Sequence, residues 1–471
     1  MCIAKTSSWM RQLTSSSRQG RHGDVLYLFF SGLRLQAGVR GTVDPSPGAV
    51  PTALRACGRL ADAASGRLIH ALVLTRPALS SDAVAATALL DMYSKCGLVA
   101  SARKVFDEMP PRAVDLVVWN ALLASYARHG LPEHALALVV KMRGLGLCPD
   151  LVTWNIAVSG FALAGDDQMA GDLVGAMEED GLQPDVVTWT SRISGSVLNF
   201  QYDRARALFR AMMAAGGRVL PSSASISTIL PTFANVADIN RGKEVHGYSI
   251  VAGVAQELTV SSALLDMYAK CGVVHEARQL FDNMPQRSTV TWNSMIFGLA
   301  NSGHCQEAID LFDRMLRDNG ANPDHLTFTA VLTACSYGGM VEAGKSLYQA
   351  MQEVYCVEPR LEHYACMVHL LGRAGRLDEA YDFVRAMPLE PDRFVWGALL
   401  GACRSHGNIE LAELAASRLL AVEPHNAASC LLLSSALASA GKQDEVFKIK
   451  RLVKRRRLKK LDSCSWVETS L

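Results

Sequence analysis

The chain has 471 residues, 49% of them hydrophobic and 20% charged: enough apolar material for one long repeat array or about three globular domains, and too much for global disorder. Its 47 Lys and Arg against 45 Asp and Glu leave a formal charge of +2, which excludes a polycation gripping nucleic acid by bulk charge alone. No run of 18 apolar residues occurs, so no membrane-spanning helix is expected. The 12 Cys never stand as Cys-x-x-Cys, which favours buried thiols in a reducing compartment over a zinc ribbon or disulfide scaffold.

The first 23 residues carry Lys5, Arg11, Arg18, Arg21 and five Ser but no acid, the composition of an organellar transit peptide. Trp9, Leu13, Gly20 and the run Leu26 to Phe29 also echo the repeat spacing found downstream. Residues 1–46 are therefore expected to be a transit peptide, a degenerate repeat, or both.

Self-similarity dominates the rest. LVVWNALLASYARHGLPEHALALVVKMRGLGLCPD ends at Asp150, and LVTWNIAVSGFALAGDDQMAGDLVGAMEEDGLQPD follows at once, ending at Asp185; both have 35 residues. Further copies open with VVTWTSRISG at Val186 and TVTWNSMIFGLANSGHCQEAIDLF at Thr289. A Gly followed five residues later by Ala sets the register at Gly97/Ala102, Gly130/Ala135, Gly165/Ala170, Gly272/Ala277, Gly303/Ala308, Gly338/Ala343, Gly375/Ala380 and Gly407/Ala412, with Phe200/Ala205 as a variant. Steps are 31 to 37 residues, apart from one gap of 72 that holds a divergent copy at 223–257.

Each copy predicts two helices. Trp119, Leu122, Leu123 and Tyr126 share one face of the first, Gly130 ends it, and Ala135, Leu138, Val139 and Met142 share one face of the second. Ala308, Leu311, Phe312 and Met315 repeat the second stripe. So short a pair cannot bury its apolar face alone; stacked neighbours can. The expected fold is all-α, a right-handed α-solenoid superhelix of helix-turn-helix repeats.

The Thr-Trp-Asn starts, the terminal Pro-Asp and the lengths near 31, 35 and 36, with ALLDMYAKCG, PRLEHYACMVHLLGRAGRLDEA and FVWGALLGACRSHGNIELA, resemble the pentatricopeptide repeat proteins of land plants, PLS class. The last block and the ending LDSCSWVETSL resemble the E region of organellar RNA-editing factors. The resemblance implies a repeat array over 47–392 and an E-type region with a basic tail over 393–471. Tetratricopeptide repeats have a similar period, but their Trp and Gly/Tyr spacing does not match.

The resemblance implies single-stranded organellar RNA as ligand, one base per repeat, with preference set by the fifth and last residues of each copy. Carried onto this chain, the pairs are Thr87/Asp115, Asn120/Asp150, Asn155/Asp185, Thr190/Ser222, Ser262/Ser288 and Asn293/Asp324. Val117, Val152, Val187 and Val290 resemble the apolar residues that sandwich bases. The L-type pairs Pro51/Asp82, Ser227/Glu257 and Thr329/Arg360 are not readable, nor is Ala365/Asp392. The implied ligand is 5′-G-U-U-R-N-R-U-3′. A competing reading makes each Asn, or the Thr two residues before it, a helix cap, and each Asp a turn or cap residue.

Nine basic residues lie between Val446 and Leu461, and Lys450, Arg451, Lys454, Arg455 and Arg457 are candidates for phosphate contact, against the simpler reading of a solvated helix face. The zinc-deaminase signature, H-x-E with P-C-x-x-C, is missing, as are nucleophile-elbow and phosphate-loop motifs. The family's deaminase-like DYW domain is not expected. No catalytic residue, metal, cofactor, membrane contact or small-molecule substrate is expected. The resemblance implies site recognition for C-to-U RNA editing, with a deaminase-domain pentatricopeptide protein and other editing factors recruited in trans. Intron splicing or transcript stabilisation, and a protein-binding scaffold, are the alternatives. The location implied is the mitochondrion, or else the chloroplast.

Overall fold

A computed structural model describes residues 2–40, 48–76, 79, 82–109, 116–215, 219–318 and 321–422, and the isolated positions 431, 434, 435, 437, 438, 446 and 451; the side chains of 2–8 and 35–40 are outside the description. Among the described residues every regular element is helical, and none is long and apolar enough to cross a membrane. The chain divides into two compact units, Met1–Thr232 and Phe233–Leu471.

The first unit contains α1 (Cys2–Arg18), α2 (His22–Arg40), α3 (Ala49–Leu60), α4 (Ala63–Leu74), α5 (Ala83–Lys95), α6 (Val99–Glu108), α7 (Leu116–Arg128), α8 (Pro132–Gly144), α9 (Leu151–Leu163), α10 (Asp167–Glu179), α11 (Val186–Leu198) and α12 (Tyr202–Ala214). Next comes α13 (Ser223–Asn235). The second unit continues with α14 (Ile239–Val251), α15 (Leu258–Lys270), α16 (Val274–Asn283), α17 (Thr289–Asn301), α18 (Cys305–Arg317), α19 (His325–Gly338), α20 (Val341–Glu353), α21 (Leu361–Arg373), α22 (Leu377–Arg385), α23 (Arg393–His406) and α24 (Ile409–Val422).

Odd-numbered helices are the first members of each pair, and first helices pack on those of neighbouring repeats within each unit: α7 on α9 and α9 on α11 in one, α17 on α19 and α21 on α23 in the other. The expected stripes are the buried ones. Trp119, Leu122, Leu123 and Tyr126 are buried, as are Ala135, Leu138, Val139 and Met142 across the turn. Each such large apolar side chain contributes about 1.5–3 kcal/mol of transfer free energy, so no single pair is held by its own contacts alone. Gly195 lets α11 approach α9 closely, because a Cβ there would collide with the Ala162 carbonyl.

Most register glycines are left-handed turn residues, Gly130 at φ +68° among them, and Phe200 takes the same conformation at φ +59° without being glycine. One anchor is corrected. The left-handed residue after α19 is Gly339, not Gly338, because α19 runs one residue longer; the small residue against the neighbouring helix is then buried Gly344, while Ala343 is exposed. At the N-terminus, α1 and α2 pack on α3, burying Leu13, Val25 and Phe29, and the Trp9 indole N–H donates to the Leu28 carbonyl at 2.8 Å. Residues 2–40, which include most of the segment with transit-peptide composition, thus form a helix pair packed on α3.

Candidate nucleic-acid interface

Each long repeat ends in an extended residue that starts the next first helix. Asp150 caps α9, Asp185 caps α11 and Asp324 caps α19; each side chain accepts the amide of the third helical residue, Thr153, Thr188 or Thr327, at 2.8 to 2.9 Å. The threonine returns the bond: the Asp backbone N–H donates to its hydroxyl at 3.3, 3.1 and 3.0 Å. This reciprocal box satisfies helix-start amides that would otherwise be unpaired.

The asparagine of the preceding repeat joins the same box. Asn120 Nδ2 donates to Asp150 Oδ1 at 3.3 Å, Asn155 to Asp185 at 3.2 Å and Asn293 to Asp324 at 3.0 Å. The threonine hydroxyl donates back to the Asn Oδ1 at 2.7, 2.5 and 2.7 Å. Three copies, in both units, therefore share one constellation across the repeat boundary. The Asp is a cap, as the simpler reading held. The Asn is not: it sits one turn into its own helix and reaches the cap of the next.

Burial pushes Asp150 and Asp324 upward, but the hydrogen bonds outweigh it and hold both carboxyls below the ordinary carboxylate range. Around Asp150 the donors are the Thr153 amide and hydroxyl and the Asn120 N–H, and around Asp324 the Thr327 amide, Asn293 and the Thr327 hydroxyl, with His325 adding its charge; in both, the hydroxyl's one proton is shared between the carboxylate and the Asn oxygen. These carboxylates are thus ionised at neutral pH and only accept.

The other sequence-derived pairs differ. Thr190 and Ser222 are brought together through Ser225, whose hydroxyl lies 2.6 Å from Thr190 Oγ1 and 3.2 Å from Ser222 Oγ. Thr87 and Ser262 turn instead to their own helices, donating to the carbonyls of Ala83 and Leu258 at 2.7 and 2.5 Å. Ser288 caps α17, accepting the Thr291 amide. Asp115 lies outside the described residues. In the junction after Thr329, Arg360 and His363 stand where Asp and Thr stand elsewhere. His363 Nδ1 accepts the Arg360 amide at 2.9 Å and its Nε2–H donates to the His325 carbonyl at 2.7 Å.

Val117, Val152, Val187 and Val290 are more than half exposed, although each lies beside a buried face. An open cleft of about 540 Å³ is lined by Val152, Asn155, Asp185 and Val187, with Ile156 and Leu163 among its apolar walls. A second, of about 390 Å³, brings Val187 together with Thr190 and Ser222. The clefts are thus apolar on their sides with hydrogen-bonding groups at one edge, the surroundings a flat heterocycle requires. Of the basic-tail candidates, Arg451 is exposed, and Lys450, Lys454, Arg455 and Arg457 lie outside the described residues. No group of three or more His, Cys, Asp or Glu that could hold a metal occurs among the described residues.

Sequence reasoning missed the threonines as members of the site. Thr153 and Thr188 stood out only as alternative caps, and Thr327 not at all. Their recurrence at the third position of successive copies was the available signal.

Comparison with known proteins follows the same repeats. Residues 84–110, 152–182, 187–217, 260–288, 326–356 and 362–390 match the PPR repeat, 114–163 and 287–337 match the PPR repeat family, and 406–468 match the E motif. A pentatricopeptide repeat-containing protein of Arabidopsis thaliana, At5g59600, is 52% identical over 89% of this chain and 78% of its own length. The chloroplastic pentatricopeptide repeat-containing protein CRR2 of the same plant is 37% identical over 86% of this chain, which spans 50% of that protein. Among solved structures, the maize pentatricopeptide repeat protein PPR10 in complex with an 18-nt psaJ RNA element has the same fold, with a TM-score of 0.60 at 16% identity over 97% of this chain and 80% of that one.

Proposed function

Because this chain belongs to the pentatricopeptide repeat family and carries an E motif behind its repeats, we propose that it binds single-stranded organellar RNA in sequence-specific fashion and marks a site for C-to-U editing. The observation that carries the reading is the Asn–Asp pair recurring across three repeat boundaries, beside exposed valines that line the same cleft. A base entering between Val152 and Val187 meets the Asn155 amide at its edge. After its bonds to Asp185 and Thr188, that amide keeps one N–H and one oxygen lone pair. This donor and acceptor, side by side, complement the edge of uracil.

The array at 47–392 holds the RNA in this reading, and the region from 393 onward recruits a deaminase in trans. The preferred ligand is 5′-G-U-U-R-N-R-U-3′, read by the pairs beginning at Thr87, Asn120, Asn155, Thr190, Ser262 and Asn293. Arg451 and its basic neighbours add phosphate contacts. The fold of a protein crystallised with RNA, and relatives whose names place them in chloroplast or mitochondrion, support the reading.

Two measurements test it. The purified chain binds the proposed oligomer more tightly than a scrambled one at moderate ionic strength; equal affinity overturns the RNA reading. Transcript sequencing of a plant lacking the protein shows one or a few lost C-to-U events in an organelle. Retained introns with editing intact would instead assign it to splicing.

A further inference from the structure

Uracil and cytosine present opposite edges. Uracil offers a carbonyl acceptor beside an N–H donor; cytosine offers an amino donor beside a ring-nitrogen acceptor. A carboxamide free to turn over by 180° satisfies either, because its N–H₂ and C=O exchange places. An asparagine separates the two bases only if something fixes which end of its amide points where.

Here the partners impose that sense. The carboxylate oxygen of Asp150 only accepts, so the group facing it at 3.3 Å must be Asn120 Nδ2 and not Oδ1. On the other side, the Asn120 Oδ1 needs a donor, and the Thr153 hydroxyl is the donor within the box, at 2.7 Å. That hydroxyl has a single proton and lies equally near Asp150 Oδ1, but the carboxylate oxygen already accepts the Thr153 amide and Asn120 Nδ2, whereas the box offers the Asn120 oxygen no second donor. In the other two copies it is closer to the Asn than to the Asp: 2.5 against 2.9 Å at Thr188, and 2.7 against 3.0 Å at Thr327. All three threonines are buried. A flipped amide would set two oxygens against each other at the Asp.

We propose that Thr153, Thr188 and Thr327 are specificity-positioning residues: each locks the amide of the asparagine in the preceding repeat in one sense, so that its repeat accepts uracil and rejects cytosine. The proposal rests on the RNA reading above and adds a residue that touches no base. The serine junction shows the contrast within one unit. Thr190, Ser222 and Ser225 are all hydroxyls, each able to donate or accept, so nothing there has a fixed sense.

The test uses the full chain and oligomers differing only at the second base, U or C, which faces Asn120. In the wild-type protein the U:C affinity ratio is about tenfold or more, as expected for a discriminating pair of hydrogen bonds. Thr153→Val removes the hydroxyl at nearly constant shape; the ratio falls to within about twofold while affinity for the U oligomer changes less than the ratio does. Thr153→Ser restores the hydroxyl and the ratio. Thr188→Val gives the same result at the third base and leaves the second unaffected, which a general loss of stability would not do, and it carries the test where Thr153→Val does not fold. A U:C ratio unchanged in a folded Val variant overturns the proposal. A wild-type chain that does not separate the oligomer from its scramble overturns the RNA reading instead.

Discussion

Two successive junctions in the first unit occupy the same place and behave as different chemistries. Asn155, Asp185 and Thr188 form a directional loop in which an ionisable carboxyl and an amide divide the donors and acceptors between them. Thr190, Ser222 and Ser225 form the same loop from three rotatable hydroxyls. The backbone is alike: each last residue is followed by a first helix whose third position returns the bond. What differs is whether the junction can commit to one hydrogen-bonding sense. A third version in the second unit, Arg360 with His363, keeps only the half of the box in which the third residue accepts the last residue's amide, and has an arginine that makes no side-chain cap in place of the aspartate. What all three versions share is an acceptor at the third position that takes the last residue's backbone amide, so the reading groups can be exchanged around it.

The largest effect is expected at His363, which is fully buried and serves two backbone groups at once. His363→Ala leaves both unpaired beside a cavity and costs about 3 kcal/mol of stability, read from the denaturation midpoint at constant slope. A cost under about 1 kcal/mol would mean that water replaces the imidazole.

Next come the bases. Asn155→Ala weakens binding of an oligomer with U at the third position by about 1–3 kcal/mol, while Thr190→Ala weakens binding by less, because its rotatable hydroxyl holds no fixed pattern. Parallel titrations of the two variants check the order. Equal losses would erase the distinction between directional and adaptable junctions.

A smaller effect concerns the caps themselves. Asp185→Ala lowers stability by about 1 kcal/mol and also frees the Asn155 amide, so stability and selectivity fall together. Ser222→Ala lowers stability by a comparable or smaller amount with little change in base preference. Thermal unfolding paired with oligomer competition separates the two.

Acid sharpens the contrast further. Asp150 and Asp324 are held below the ordinary carboxylate range, so their contribution is fully present above about pH 4 and is lost only as pH falls through their lowered values. His363 is also held below its ordinary value, but its window lies at higher pH. Burial lowers its affinity for a proton, so the folded state favours the neutral ring; stability is complete above about pH 6.5 and declines as pH falls below it. Between pH 7 and pH 5 the histidine junction weakens while the aspartate junctions hold. Urea midpoints over that range show a decline that His363→Gln makes smaller, whereas the U:C ratio at the second base stays constant.

Much of this was legible in the sequence, for a physical reason. Helix pairs, their buried stripes and their turns follow from local spacing: Leu122 beside Leu123, Ala135 after Gly130. The Asn and Asp slots came from family resemblance, because nothing local distinguishes a reading Asn from a capping one. The threonines stayed hidden because Thr188 acts on Asn155, 33 residues away, and only stacking brings them to 2.5 Å. The Gly338 anchor slipped by one because a helix that runs one residue longer keeps the same Gly–Gly text. Nor does composition show that Thr87 and Ser262 spend their hydroxyls on their own helices.

The most direct test of base-by-base reading is a single exchange at a directional junction. Asn155→Thr, with Asp185 retained, is titrated with oligomers that differ only in the third base. If each repeat reads its own base, the preferred third base moves from U to G while preference at the second and seventh positions is unchanged. Uniform weakening on every oligomer, with U still preferred at the third position, would contradict it.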